Sequence, residues 1–97
     1  MKVQELIDLI NNTELYSLWD AGDLINGRAT REDSGQDLSE HRWFSIATDI
    51  YKCEDGFVGV RGAYQSFSES QTWSDIDVLC TATEYKAVPT IKYVPKV

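Results

Sequence analysis

The apolar residues of this chain change their period once. Near the start, Val3, Leu6, Ile7 and Ile10 follow the i, i+3, i+4, i+7 spacing of one helical stripe. Lys2, Gln4, Glu5 and Asp8 fall largely on the other side, which predicts a helix over residues 2–11. Glu5 sits near the positive end of the helix dipole, where a carboxylate is favourable. Asn11-Asn12-Thr13 is a suitable stop, because Asn tolerates the left-handed C-cap conformation. Residues 14–26 fit two patterns. Leu15, Leu18, Trp19 and Ile25 suit another helical turn or two, whereas Leu15, Ser17 and Trp19 alternate as a short strand does. Residues 26–39 contain Gly27 and Gly35 and few apolar groups, and read as a long exposed loop, functional or disordered.

From residue 41 the period is two. Strands are predicted at about 41–53, 57–67, 76–86 and 90–94. In the first, Phe44, Ile46, Thr48 and Ile50 share one face, and Trp43, Ser45, Ala47, Asp49 and Tyr51 the other. The first set is expected to face the core, because the second carries Asp49. Glu54-Asp55-Gly56 is a hairpin turn, with Asp-Gly supplying the positive φ angles. On the return strand Val58, Val60 and Tyr64 share a face, with Gly62 between them. Gly56, Gly59 and Gly62 recur every three residues, but no helix follows them as a dinucleotide fingerprint requires. They relieve crowding beneath bulky neighbours such as Trp43 and Tyr51, or mark a bulge. Val88-Pro89 ends or bends the third strand, and Lys92 and Lys96 charge the edge of the last. The fold class is α+β: an N-terminal helix packed on a three- to four-stranded antiparallel meander sheet, in a single domain over 1–97.

Length and composition agree. The chain has 97 residues, 42% hydrophobic and 26% charged, which are globular values. A domain of this size buries about 65% of its unfolded surface, enough for one modest core. Two cysteines, Cys53 and Cys80, fit buried free thiols in a reducing cytoplasm. The N-terminal stretch lacks the pattern of a signal peptide, and no apolar run reaches the 18 residues of a membrane span.

Several pieces from His41 onward carry a resemblance: Arg42-Trp43-Phe44, Ile50-Tyr51-Lys52, the run Glu54 to Val60, Ser68-Glu69-Ser70, and Val88-Pro89-Thr90-Ile91-Lys92-Tyr93. Over residues 41–95 the chain resembles small proteins of gut bacteria and their phages or mobile elements. The resemblance implies a bacterial cytoplasmic origin. That family has no assigned activity, so it assigns no site residue.

Candidate chemistry is sparse. His41 is the only histidine and sits beside Arg42 at a loop-to-strand junction, a poor setting for a catalytic base. One histidine and two cysteines provide no zinc spacing, and no cofactor is implied. Asp75 and Asp77, with Glu69 upstream, could hold a hard cation or form a carboxylate pair, but match no calcium loop.

Charge says more. The net charge is −7, which argues against direct nucleic-acid binding. Residues 3–27 hold five acids (Glu5, Asp8, Glu14, Asp20 and Asp23) and no Lys or Arg. Residues 62–85 hold four (Glu69, Asp75, Asp77 and Glu84) and again no base. An acidic face of this kind would attract a basic protein partner. Trp73 lies in a polar link and suits an interface anchor. The expected function is a non-enzymatic protein-interaction module using Glu69, Trp73, Asp75, Asp77, Asp20 and Asp23. The alternatives are a nucleic-acid mimic that inhibits a DNA-binding protein, and a small carboxylate-dependent enzyme. The face opposite the helix would carry Trp43, Tyr51 and Phe57, which is aromatic enough to expect a homodimer.

Overall fold

A computed structural model of the chain describes residues 1–40, 44–66, 79–88 and 92–96. Among these, two helices precede five strands: α1 (Val3–Asn11), α2 (Leu18–Ile25), β1 (Thr30–Glu40), β2 (Phe44–Cys53), β3 (Gly56–Ser66), β4 (Thr81–Val88) and β5 (Lys92–Pro95). The strands form one antiparallel meander in the order β1-β2-β3-β4-β5. The α+β class and the N-terminal helix on an antiparallel meander stand as expected from the sequence. The sheet is one strand wider, and the second segment is a helix, not a strand.

α1 forms where the apolar stripe lies. Val3, Leu6 and Ile10 are buried, and Ile7 packs against them in part. The Asp55 carboxylate of the β2–β3 turn accepts from the Val3 N–H at 2.8 Å, which places an anion at the positive helix end. The expected left-handed stop does not occur: Asn12 has φ −101°. Instead, side chains cap the last carbonyls. Asn12 Nδ2 donates to Asp8 O at 2.8 Å and Thr13 Oγ1 to Leu9 O at 2.7 Å. Asn11 does a different job. Its Nδ2 donates to Ala82 O at 3.1 Å, and its Oδ1 accepts from Ala82 N at 2.9 Å. β5 pairs only with Tyr85–Val88, so the Asn11 amide takes the place of a neighbouring strand beside Ala82.

α2 starts at Ser17, whose Oγ accepts from the Asp20 N–H at 3.2 Å as an N-cap. Leu18, Ala21 and Ile25 are its buried stripe. With α1 they cover the sheet face that carries Ala47, Tyr51 and Cys53 of β2, Val58 and Val60 of β3, and Ala82 of β4. Cys53 and Cys80 are free, buried thiols. The Cys80 Sγ–H donates to Ser17 O at 3.3 Å, and burial pushes its pKa up to about 11, so it is an inert packing group.

Three sequence expectations need correction. Residues 30–39 of the expected 26–39 loop belong to an edge strand, β1, which runs on to Glu40. It is exposed, as expected, but no alternation marks it, because backbone pairing with β2 holds it rather than side-chain burial. Its ladder shifts register three times, and Gly35 (φ 75°) and Asp37 (φ 52°) are left-handed. Such irregularity blunts an edge against further strand addition.

Secondly, the faces of β2 are exchanged. Ala47 and Tyr51 belong to the helix-side core, while Ile50 and Thr48 are fully buried on the other side. A strand covered on both faces loses the alternation that distinguishes them. Tyr51 and Phe57 consequently lie on opposite faces, since Tyr51 pairs with Val58 and Lys52 with Phe57. Trp43 lies outside the described residues. The outer face is partly closed by its own residues. Phe57 and Tyr93 rings lie 5.1 Å apart, and Arg61 Nη1 donates to Thr48 Oγ1 and Asp37 O, each at 3.0 Å. Gln36 Nε2 of β1 reaches Tyr93 O of β5 at 2.6 Å, so the sheet curls until its first and last strands meet.

Thirdly, the glycines do sit beneath bulky groups, but beneath different ones. A Cβ on Gly59 would stand 2.3 Å from Tyr85 Cε1, and one on Gly62 2.5 Å from Cys80 Sγ.

Asn11→Ala should lower the unfolding free energy by about 1–3 kcal/mol, because both Ala82 backbone groups lose their partners. Urea denaturation checks this. Gly59→Ala should cost a similar amount, about 1–3 kcal/mol, through overpacking against the Tyr85 ring; Tyr85→Leu in the same chain should restore part of the loss.

Candidate functional site

One flank of α2 is not used by the core. Trp19, Gly22, Asp23 and Asn26 follow helical spacing beside the buried stripe. They face β1 and β2 across a crevice of about 800 Å³. Arg31 and Ser34 of β1, Asp49 and Tyr51 of β2, and Tyr64 of β3 complete its lining, with Leu18 and Ala29. Trp19 is 72% exposed at the rim, and Tyr64 is 41% exposed.

Asp49 is the unusual member. It is only 3% exposed, on the sheet face that the helices cover. β1 is shaped around it. Asp33 pairs with Ile50 and Gln36 with Thr48, so Ser34 and Gly35 together oppose Asp49. This bulge, with Gly35 left-handed, turns the Gly35 N–H to Asp49 Oδ1 at 3.1 Å. Arg31 Nη1 stands 3.9 Å from Oδ2, and the Arg31 side chain is 57% exposed. Burial pushes the Asp49 carboxyl above its ordinary value of 3.8, and nearby Asp33 adds to this; the Gly35 N–H and the Arg31 charge oppose it. Tyr51 lies beneath α2, with its hydroxyl 3.5 Å from where a Cβ on Gly22 would stand. Burial raises its pKa above 10.0, and the Asp49 charge raises it further.

The structure places the residues expected from sequence unevenly. Asp23 lines the crevice. Asp20 is exposed in the first turn of α2, one residue from Trp19. Glu69, Trp73, Asp75 and Asp77 lie outside the described residues, as does His41. Sequence reasoning missed Trp19, Arg31 and Asp49. The usable signal for Asp49 was an acid flanked by Ala47 and Tyr51 on one face of an otherwise apolar strand.

Among the described residues, two unlike carboxylates, one guanidinium and three aromatic rings line the crevice. Among the described residues, no group of three or more His, Cys, Asp or Glu could hold a metal ion. No helix among them is long and apolar enough to cross a membrane. No family model, curated protein or solved structure matches the chain.

Because Asp49 is held above its unfolded pKa, its ionisation opposes folding. The stability it contributes is complete below pH 3.8 and is lost as pH rises through its folded value. Wild type should therefore lose stability relative to Asp49→Asn as pH increases from about 3.8 towards neutrality. Paired urea titrations across that range measure the difference. A constant difference would show that Asp49 titrates as an ordinary carboxylate.

Proposed function

We propose that this chain is a non-enzymatic interaction module that takes a basic protein partner at the α2–β1–β2 crevice, with Trp19 as its anchor. The observation that carries this is the exposed Trp19 ring at the rim of a preformed crevice. Tryptophan is enriched among the few residues that dominate binding energy, and a ring left in water gains most from being covered. Asp20 and Asp23 beside it, and the net charge of −7, favour a positively charged partner.

Binding is preferred to catalysis for a chemical reason. A carboxylate-dependent enzyme would need two acids in different environments, and Asp49 and Asp23 do differ in burial. Asp49, however, is already engaged by the Gly35 N–H and faced by Arg31, which suits a fixed charge more than a proton carrier. The nucleic-acid mimic calls on Glu69, Asp75 and Asp77 and draws no support from the crevice.

Panning a displayed random peptide library on the immobilised protein tests the reading. The enriched peptides should carry net positive charge and should bind Trp19→Ala at least about tenfold more weakly, as expected of a hot spot. Because Trp19 is exposed, that variant should keep its stability within about 0.5 kcal/mol. Peptides that bind Trp19→Ala as tightly as wild type, or a panning that enriches nothing dependent on Trp19, would overturn the proposal.

A further inference from the structure

We propose that the floor of the crevice is a subsite for one guanidinium group, so that the partner enters with an arginine side chain, and that Arg31 keeps that place in the unpartnered protein. The inference rests on the crevice being the partner site and specifies what enters it.

The geometry around Asp49 carries the argument. Oδ1 is committed to the Gly35 N–H at 3.1 Å. Oδ2 faces the Arg31 guanidinium at 3.9 Å, which is longer than a hydrogen bond. A carboxylate this buried is expected to be met by close donors, because a desolvated charge is costly. The chain thus already presents a guanidinium to this oxygen, but loosely. Arg31 reaches it from an exposed edge strand, with most of its side chain in water, where such ion pairs contribute little. Displacing it gives up that weak pair and the hydrogen bond its side chain makes with Tyr51.

The surroundings select the incoming group. Among the described residues, the charged and titratable neighbours are Arg31 and Asp33 from β1, Tyr51 from β2, Cys80 in the core, and Asp23 on the α2 flank. Cys80 is a neutral thiol, so Arg31 is the single cation of the set among the described residues. Trp19 and Tyr64 add exposed rings at the mouth. A planar guanidinium can stack on an aromatic face while its edge donates to a carboxylate; a compact ammonium cannot do both equally well. The overall charge of −7 speeds the approach of a cation and repels an anion.

The test reads the Gly35 backbone amide by NMR, because that N–H is bonded to the carboxylate in question. Wild type is titrated with N-acetyl-arginine amide, with the uncharged isostere N-acetyl-citrulline amide, and with N-acetyl-lysine amide. The arginine amide should shift Gly35 saturably, the citrulline amide should not, and the lysine amide should bind more weakly. Asp49→Asn should abolish the shift. Arg31→Gln should tighten binding by roughly threefold, the release of a weak exposed ion pair. Arg31 lies on an exposed edge, so this variant tests the idea even if Asp49→Asn fails to fold.

A Gly35 shift that survives in Asp49→Asn, equal binding of the lysine amide, or no saturable shift in either wild type or Arg31→Gln would overturn the subsite. Trp19-dependent peptides without arginine would also overturn it, while leaving the partner crevice standing. Loss of all Trp19-dependent binding would remove both.

Discussion

A carboxylate on the inner face of a sheet has to be met by donors, and Asp49 sets how β1 runs. The Gly35 N–H can reach Oδ1 only because Ser34 and Gly35 together oppose one residue of β2, with Gly35 left-handed. That detour breaks the regular ladder of β1 and sets Ser34 in the crevice wall, while Arg31, paired with Tyr51 before the bulge, faces the other carboxylate oxygen. The crevice exists because α2 divides its surface. Leu18, Ala21 and Ile25 close the core, while Trp19, Asp23 and Asn26 on the adjoining flank stand opposite β1. An apolar residue in place of Asp49 would remove the need for the bulge and for a cation near it.

The elements that follow from side-chain periodicity were legible in the sequence. α1 announces itself by Val3, Leu6, Ile7 and Ile10, and the β2–β3 hairpin by Asp55-Gly56 between two strand-like runs. β1 was not legible, because its strand character rests on backbone pairing and its residues stay in water. The face assignment of β2 failed for a related reason. Thr48 and Ile50 are buried on the outer face, and Ala47 and Tyr51 beneath the helices, so neither face stands out as the solvent side. The curl of the sheet depends on long-range bonds such as Gln36 to Tyr93, which no local pattern records.

The site was legible only in its charge. The acid-rich run that includes Asp20 and Asp23 does reach the crevice, through Asp23. The proposed anchor did not follow from local context. Trp19 stands among Leu18, Ala21 and Ile25, and so reads as core until α2 is rotated onto the sheet and the ring is left outside. Asp49 was discounted by a sound rule, that acids face water. The exception needs a donor delivered from another strand, and sequence gives no hint that Gly35 would be that donor.

The two charge scales of the molecule act together at the crevice. At long range the excess of acids draws a cation in and holds other anions off. At short range Arg31 already balances Asp49, so the free protein does not carry an unpartnered buried charge. On the proposed exchange one guanidinium replaces another opposite Asp49, so the charge balance at that carboxylate does not change. Little net electrostatic energy is then left for affinity. What changes on binding is the exposure of Trp19 and Tyr64, whose rings pass from water to contact. Asp49 would consequently determine which residue enters, and Trp19 how tightly it is held. On that proposal, the carboxylate bonded to a backbone amide and the aromatic ring exposed at the rim would divide selectivity from affinity.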